Sequence, residues 1–316
     1  MRRQWTRRGF LGVTGAAGAA TLLAAACSRE TPAVDGAPGP VTVTHLFGET
    51  VVPEPPKRVV CAGYTGQDDL LALGVVPIAV TRWFGDQPFA VWPWARAKLG
   101  DAEPEVLDLD DGIDVKKIAA LKPDLIVATN AGVDADTYRQ LSAIAPTLPQ
   151  TDGDAFFEPW KVQADAIGRA VHQAHQMQTL IDGVDAKFAD AATAHPGFRD
   201  KRALLLHGRL DRGNATVSTG WRSTFLTQLG LSVPDIAAVI EHDRLRSALS
   251  AADVLIWTTG GDGERDALLA DPDIAALRKR CVFTTAEQAG AIAFGSPLSY
   301  PVVAAELPGR IADVIG

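Results

Sequence analysis

The densest run of chemically capable side chains is Arg82-Trp83-Phe84-Gly85-Asp86-Gln87-Pro88-Phe89-Ala90-Val91-Trp92-Pro93-Trp94. It holds five of the chain's 21 aromatic residues, three of them tryptophans, and its Pro and Gly residues oppose a regular strand or helix. A loop of this kind makes a rigid aromatic wall suited to a large planar or aryl ligand. The competing reading is a satellite apolar cluster beneath a long loop. A second constellation lies far along the chain: His207, Arg209, Asp211 and Arg212, then Trp221 and Arg222. Guanidinium forks match the oxygens of anionic groups, and Arg82 and Arg209 are the leading charge partners, against the alternative of ordinary surface ion pairs. Nucleophile-elbow, Walker and dinucleotide motifs are absent from the sequence, and Asp108-Leu109-Asp110-Asp111-Gly112 lacks EF-hand spacing. Six scattered histidines compose no zinc cage, and His172 and His175, off the apolar stripe described next, are expected to be solvated. These residues point to binding rather than covalent chemistry.

The elements that must position them follow from periodicity. Apolar residues at Trp160, Ala164, Ile167, Val171, Ala174, Met177, Ile181, Val184, Phe188 and Ala191 are spaced by three or four and predict one helix over 158–195. Pro159 suits its first position and His195-Pro196-Gly197 its end. Such a rod would be roughly 50 Å long and would join an N-terminal lobe, 41–157, to a C-terminal lobe, 196–316. The first lobe opens with a hairpin over 41–52. Short buried strands then end at Gly63-Tyr64-Thr65-Gly66, near Val80, and at Thr129-Asn130. The second lobe places strands before His207-Gly208-Arg209 and before Thr258-Thr259-Gly260. Residues 119–127 and 248–256 echo each other in pattern, so the expected fold is α/β, two Rossmann-like lobes linked by one long backbone helix. Ligands in such sheets sit at the carboxyl ends of the strands, which selects the loops 63–67, 81–94, 129–132, 207–213, 258–262 and 285–300.

Residues 1–27 read as an address. Thr6-Arg7-Arg8-Gly9-Phe10-Leu11 follows the twin-arginine export pattern, and a Gly/Ala-rich run leads to Leu22-Leu23-Ala24-Ala25-Ala26-Cys27, similar to a lipobox with Cys27 as the lipidated residue. Residues 28–40 would be a flexible leash to the outer face of the cytoplasmic membrane. An uncleaved anchor is the weaker alternative, because Gly and Ala make the run only mildly apolar. Loss of residues 1–26 removes four arginines and no acid, taking the net charge from −8 to −12. That charge argues against nucleic acid as a partner. Cys61 and Cys281 remain, one in each lobe, and are read as buried thiols in preference to a disulfide.

Pro56-Lys57-Arg58-Val59-Val60, Leu71-Ala72-Leu73-Gly74-Val75-Val76-Pro77 and the segment Ile118 to Ile126 resemble the periplasmic binding proteins that serve ABC importers of ferric siderophores, haem and cobalamin. Ala145-Pro146-Thr147, the segment Leu226 to Leu231 and the stretch Phe294 to Ile315 fit the same family, and with the export signal they suggest an actinobacterial lipoprotein. The resemblance implies two α/β lobes with small hinge motion, no intrinsic cofactor, no catalysis, and capture of a ferric siderophore for an ABC-transporter permease. It makes Tyr64, Arg82, Trp83, Phe84, Trp92, Trp94, His207, Arg209, Trp221 and Tyr300 the expected ligand-binding set. Tyr64 and His207 are candidates for contact with iron, through a phenolate or an imidazole. Haem in the same fold, with Tyr64 or His207 as axial ligand, and a transporter-independent envelope scaffold are the alternatives. Relatives carry one permease-docking glutamate per lobe; Asp243 or Glu241 fits the second, whereas Lys116 stands near the first position.

Overall fold

The computed structural model describes residues 39–153 and 156–316; the export signal and Cys27 lie outside the described residues. Strands β1 (Val41–His45) and β2 (Gly48–Val52) form the antiparallel hairpin that the alternating Val and Thr pattern requires. Five short strands then assemble a parallel sheet: β3 (Val59–Cys61), β4 (Ala79–Thr81), β5 (Glu105–Leu107), β6 (Leu125–Val127) and β7 (Thr147–Leu148), in the order β5-β4-β3-β6-β7. β3, β4 and β6 are buried along their whole length, as helices on both faces of a parallel sheet demand. Strand order reverses between β3 and β6, so the loops leaving these two strands open a crevice at the sheet's carboxyl edge. Tyr64 leaves β3 there and Asn130 leaves β6.

The parallel sheet of the second lobe is smaller. β8 (Ala203–His207) lies beside β11 (Val254–Thr258), which lies beside β12 (Cys281–Phe283), all parallel. The intervening β9 (Ala215–Thr216) and β10 (Val239–Ile240) pair antiparallel beside them. The echo between residues 119–127 and 248–256 corresponds to β6 and β11, each the direct neighbour of its lobe's first sheet strand. Both lobes share one backbone device at that point. A Cβ added to Gly63 would stand 1.8 Å from the Thr129 carbonyl oxygen, and one added to Gly208 would stand 2.4 Å from that of Thr258. Only glycine lets the two strand-end loops touch.

The structure corrects the rod. Residues 158–195 form two helices, Trp160–Ala170 and Ala174–Ala194. His172 takes the left-handed conformation at φ +60°. Gln173 N–H donates to the Gly168 carbonyl at 2.8 Å and His172 N–H to that of Arg169 at 2.9 Å. This is a Schellman termination, after which the chain doubles back. Lys161 Nζ consequently reaches both carboxylate oxygens of Asp185 at 2.6 Å, two residues that a straight helix would hold roughly 36 Å apart. The apolar stripe is real in both halves: Ala164 and Ile167 are buried in one, Met177, Ile181, Val184 and Phe188 in the other. A hairpin whose two arms face the same core reproduces the periodicity of a rod. His172 is buried, not solvated, and its Nε2 has no hydrogen-bond partner.

The first arm packs on the first lobe, against β1 and the helix Gly66–Ala72. The second, roughly 31 Å long, packs on the closing helix Tyr300–Ile315 and carries the chain to β8. A single apolar cluster runs from Val59 and Val127 through Ile167 and Met177 to Leu205, Ile256 and Val303. The two sheets are thus welded along one face and separated on the other. Cys61 and Cys281 are free and buried, and burial pushes their thiols up to about 12 and about 11. No helix among the described residues is long and apolar enough to cross a membrane.

Candidate binding cleft

On the open side lies a cleft of about 880 Å³, walled by Trp83, Phe84 and Trp92 of the first lobe and by His207, Arg209 and Arg222 of the second. Its aromatic wall is longer than the 82–94 loop. Trp83 stacks on Tyr64 at 5.5 Å and lies 4.9 Å from Phe157, which with Phe156 precedes the helical hairpin. On the other flank, Phe84 meets Trp92 edge-on at 5.5 Å, and Trp83 lies 5.6 Å from Phe294 of the helix Ala286–Phe294. These offset and edge-on arrangements favour a rigid surface over a collapsed one. Sequence reading missed Phe156, Phe157 and Phe294, because only the fold brings them to the cluster.

The loops that carry Tyr64 and Phe157 are pinned by Asn130, in the left-handed conformation at φ +51°. Its amide nitrogen donates to Thr65 Oγ1 at 3.0 Å and to Gln163 Oε1 at 2.7 Å, while its oxygen accepts from Phe157 N–H at 2.5 Å. Asparagine tolerates that backbone state, and its short amide satisfies three loops at once.

Trp92 and Trp94 stack nearly parallel at 5.0 Å, and neither behaves as a free ligand face. Trp92 is 4% exposed; its indole fills the notch left by Gly85 and by Gly290 of the second lobe, where an added Cβ would stand 2.5 and 2.7 Å from the ring. Trp94 stands outside the cleft lining and donates its indole N–H to Asp68 Oδ2 at 2.8 Å. Ser296 Oγ, from the second lobe, donates to the same oxygen at 2.7 Å. Asp68 therefore clasps the lobes together behind the wall. Burial raises its carboxyl from 3.8 to about 6, against the lowering pull of Ser296 and Trp94, and its Oδ1 has no partner. The adjacent Asp69, bonded to Gln163 and also buried, is pushed upward for the same first cause. Between about pH 4 and 6 the folded protein binds more protons at Asp68 than the unfolded chain. Stability falls as pH rises through that window, by roughly 3 kcal/mol for Asp68, and the penalty is complete above pH 6. Urea unfolding of Asp68→Asn should show a flatter profile between those pH values than the parent protein; an unchanged slope would remove the clasp as its source.

The predicted charge partners are rearranged. Arg82 is not part of the cleft lining; it lies 3.7 Å from Asp110, with half its side chain in solvent. Arg209 lines the cleft but is 83% exposed and paired with Glu264 at 3.1 Å. Arg212 does not line the cleft, and Asp211 does. The cation that faces the cavity without a carboxylate is Arg222. Its guanidinium lies 4.4 Å above the Phe157 ring and 5.3 Å from that of Trp221, and among the described residues it makes no ion pair. Desolvation lowers its pKa, partly offset by Tyr300. Trp221 itself is outside the lining; its indole N–H donates to the Phe157 carbonyl at 2.9 Å and ties the lobes. Tyr300 is no cleft residue either: it is 2% exposed, packed among Trp160, Phe188 and Phe225, with burial raising its phenol.

His207 ends β8 and faces the cavity. Desolvation, then the Arg222 charge, lowers its pKa, so the imidazole is neutral at pH 7 and available as a donor or acceptor. The Tyr64 phenol is raised, first by burial and then by Asp110 and Asp108, which disfavours the phenolate that a ferric ligand needs. No group of three or more His, Cys, Asp or Glu among the described residues is arranged to hold a metal. Glu241 and Asp243 sit on an exposed turn of the second lobe, and Lys116 is exposed on the first.

The fold has counterparts among known proteins. A periplasmic solute binding protein from Mycobacterium smegmatis superposes with a TM-score of 0.87 at 60% identity, covering 88% of this chain and 99% of that one. The Streptococcus pneumoniae iron-uptake protein PiaA in complex with ferrichrome superposes at 0.71 with 23% identity over 87% of this chain and 98% of that one, a likeness of fold. In sequence, the putative ABC transporter substrate-binding lipoprotein YhfQ of Bacillus subtilis is 30% identical over 66% of this chain and 64% of its own length. The probable siderophore-binding lipoprotein YfiY of the same organism is 28% identical over 61% and 58%. The chain thus spans about three fifths of the length of these curated relatives. The periplasmic binding protein family matches residues 59–289, well over half of the sequence, and the chain belongs to that family.

Proposed function

We propose that the protein captures a ferric siderophore in the inter-lobe cleft and delivers it to an ABC importer, without covalent chemistry. The observation that carries this reading is Arg222, a cation without an ion pair among the described residues, held over an aromatic ring and lining a cavity of chelate size with Trp83 and Phe84. A desolvated guanidinium binds the oxygens that surround ferric iron, and the wall buries the ligand's apolar parts. The probable siderophore-binding lipoprotein YfiY and PiaA in complex with ferrichrome support the same class of cargo. In this account iron is held by its own chelator. Cys27 would anchor the protein to the outer face of the cytoplasmic membrane, and the turn with Glu241 and Asp243 would meet the permease.

A second reading, haem, is favoured by one feature: the neutral imidazole of His207 at the cleft surface. Tryptophan fluorescence of residues 28–316, titrated with hemin and with a panel of ferric siderophores, separates the two. Saturable quenching by a siderophore with weak hemin binding is the expected result. A sharp Soret band at one equivalent, lost in His207→Ala, would make this a haem carrier. Silence from both ligands would end the proposal.

A further inference from the structure

The cleft's charge balance narrows the cargo. Arg209 and Glu264 neutralise each other. Asp86 and Asp211 also line the cavity, and among the described residues neither has a cationic partner. Beside the wall, Asp108 and Asp110 act on Tyr64; Asp110 has Arg82 at 3.7 Å, and Asp108 also acts on Lys117. Against these acids stands Arg222, which makes no ion pair among the described residues. His207 adds no positive charge near neutral pH. The apolar part of the surface includes Trp83, Phe84 and Ile292, and Thr216, Ser218 and Thr258 add neutral hydroxyls.

Placed here, a ferric tris-catecholate of charge −3 would bring three negative charges against one guanidinium and two carboxylates. Burying charge without a partner is costly, so this ligand is disfavoured before its shape matters. A neutral hydroxamate complex still offers partly negative oxygens to Arg222, and aryl groups add stacking area along the wall. We infer that the cleft selects aryl-bearing ferric chelates of net charge zero or minus one and rejects trianionic tris-catecholates. The inference rests on the proposed function and assigns the charge class of its cargo.

Exchange-inert chromium(III) complexes isolate the charge. Tris(benzohydroxamato)chromium is neutral with three phenyl rings, tris(catecholato)chromate is a trianion with three aryl rings, and tris(acetohydroxamato)chromium is neutral without any. Calorimetry should find the neutral aryl complex bound at least about tenfold more tightly than either of the others. Raising salt from about 20 to about 300 mM should strengthen the trianion's binding, because screening relieves repulsion, and leave the neutral complexes unchanged. Asp86→Asn with Asp211→Asn should narrow the gap between trianion and neutral aryl complex. A trianion that binds as tightly as the neutral aryl complex, or more weakly with added salt, overturns the inference, as does a neutral aryl complex that fails to bind. If the siderophore panel still binds in that case, the proposed function stands and only the charge assignment falls. Silence from probes and panel alike removes both.

Discussion

Arg222→Met combined with Trp83→Ala is expected to weaken capture of a ferric chelate by about a hundredfold or more. A hydrogen bond to a charged group contributes about 1.5–3 kcal/mol, and loss of a large aromatic contact costs a similar amount. Arg222 is already desolvated and set on the Phe157 ring, so the cost of ordering its side chain is met before the ligand arrives. Trp83 occupies the middle of the aromatic row, touching Tyr64, Phe84, Phe157 and Phe294, and it presents part of its own surface to the cavity. Arg209→Met is the informative contrast. An arginine 83% exposed and engaged by Glu264 should change affinity by less than about threefold. Calorimetry, which does not depend on a tryptophan signal, reads all three variants. Equal losses for Arg209 and Arg222 would show that the cation was misassigned.

The second large effect concerns the wall's foundation. Trp92→Ala should cost about 3–5 kcal/mol of stability, the range for truncating a buried aromatic residue. Gly290→Ala should cost about 1–3 kcal/mol by overpacking, because its new methyl would stand 2.7 Å from the Trp92 ring. The two changes meet at one contact between the lobes, so their costs should not add. Gly290→Ala in a Trp92→Leu background, where space has been released, should cost less than in the parent protein. Chemical denaturation of the four proteins measures that coupling. Strict additivity would mean that Trp92 does not wedge against the second lobe.

Much of the fold was legible because strand ends announce themselves. β3 and β6 are short all-apolar runs, and β8 and β11 are apolar up to their last residues, His207 and Thr258; the loops chosen from their ends contain Tyr64, Asn130, His207 and Thr258. The break of the long helix was not legible. Its left-handed residue is His172 rather than glycine, and a doubled-back hairpin keeps the same apolar spacing as a rod. Arg222 belongs to the second constellation, but the sequence singles out Arg82 and Arg209 ahead of it, since no sequence pattern tells which arginine lacks a carboxylate partner. Tyr300 and Trp94 look like ligand residues by type. One is consumed by the core and the other by Asp68, a carboxylate that helical position alone would place in solvent. Phe156, Phe157 and Phe294 joined the wall through contacts between residues more than sixty positions apart.

The central claim is that iron resides between the lobes, and anomalous scattering at the iron edge locates it directly. Crystals of residues 28–316 grown with the ferric siderophore that quenches most strongly should give one strong peak in the cleft, between the Trp83 ring and the Arg222 guanidinium. A fully liganded protein with its iron peak outside the cleft, on the exposed surface, would contradict the account.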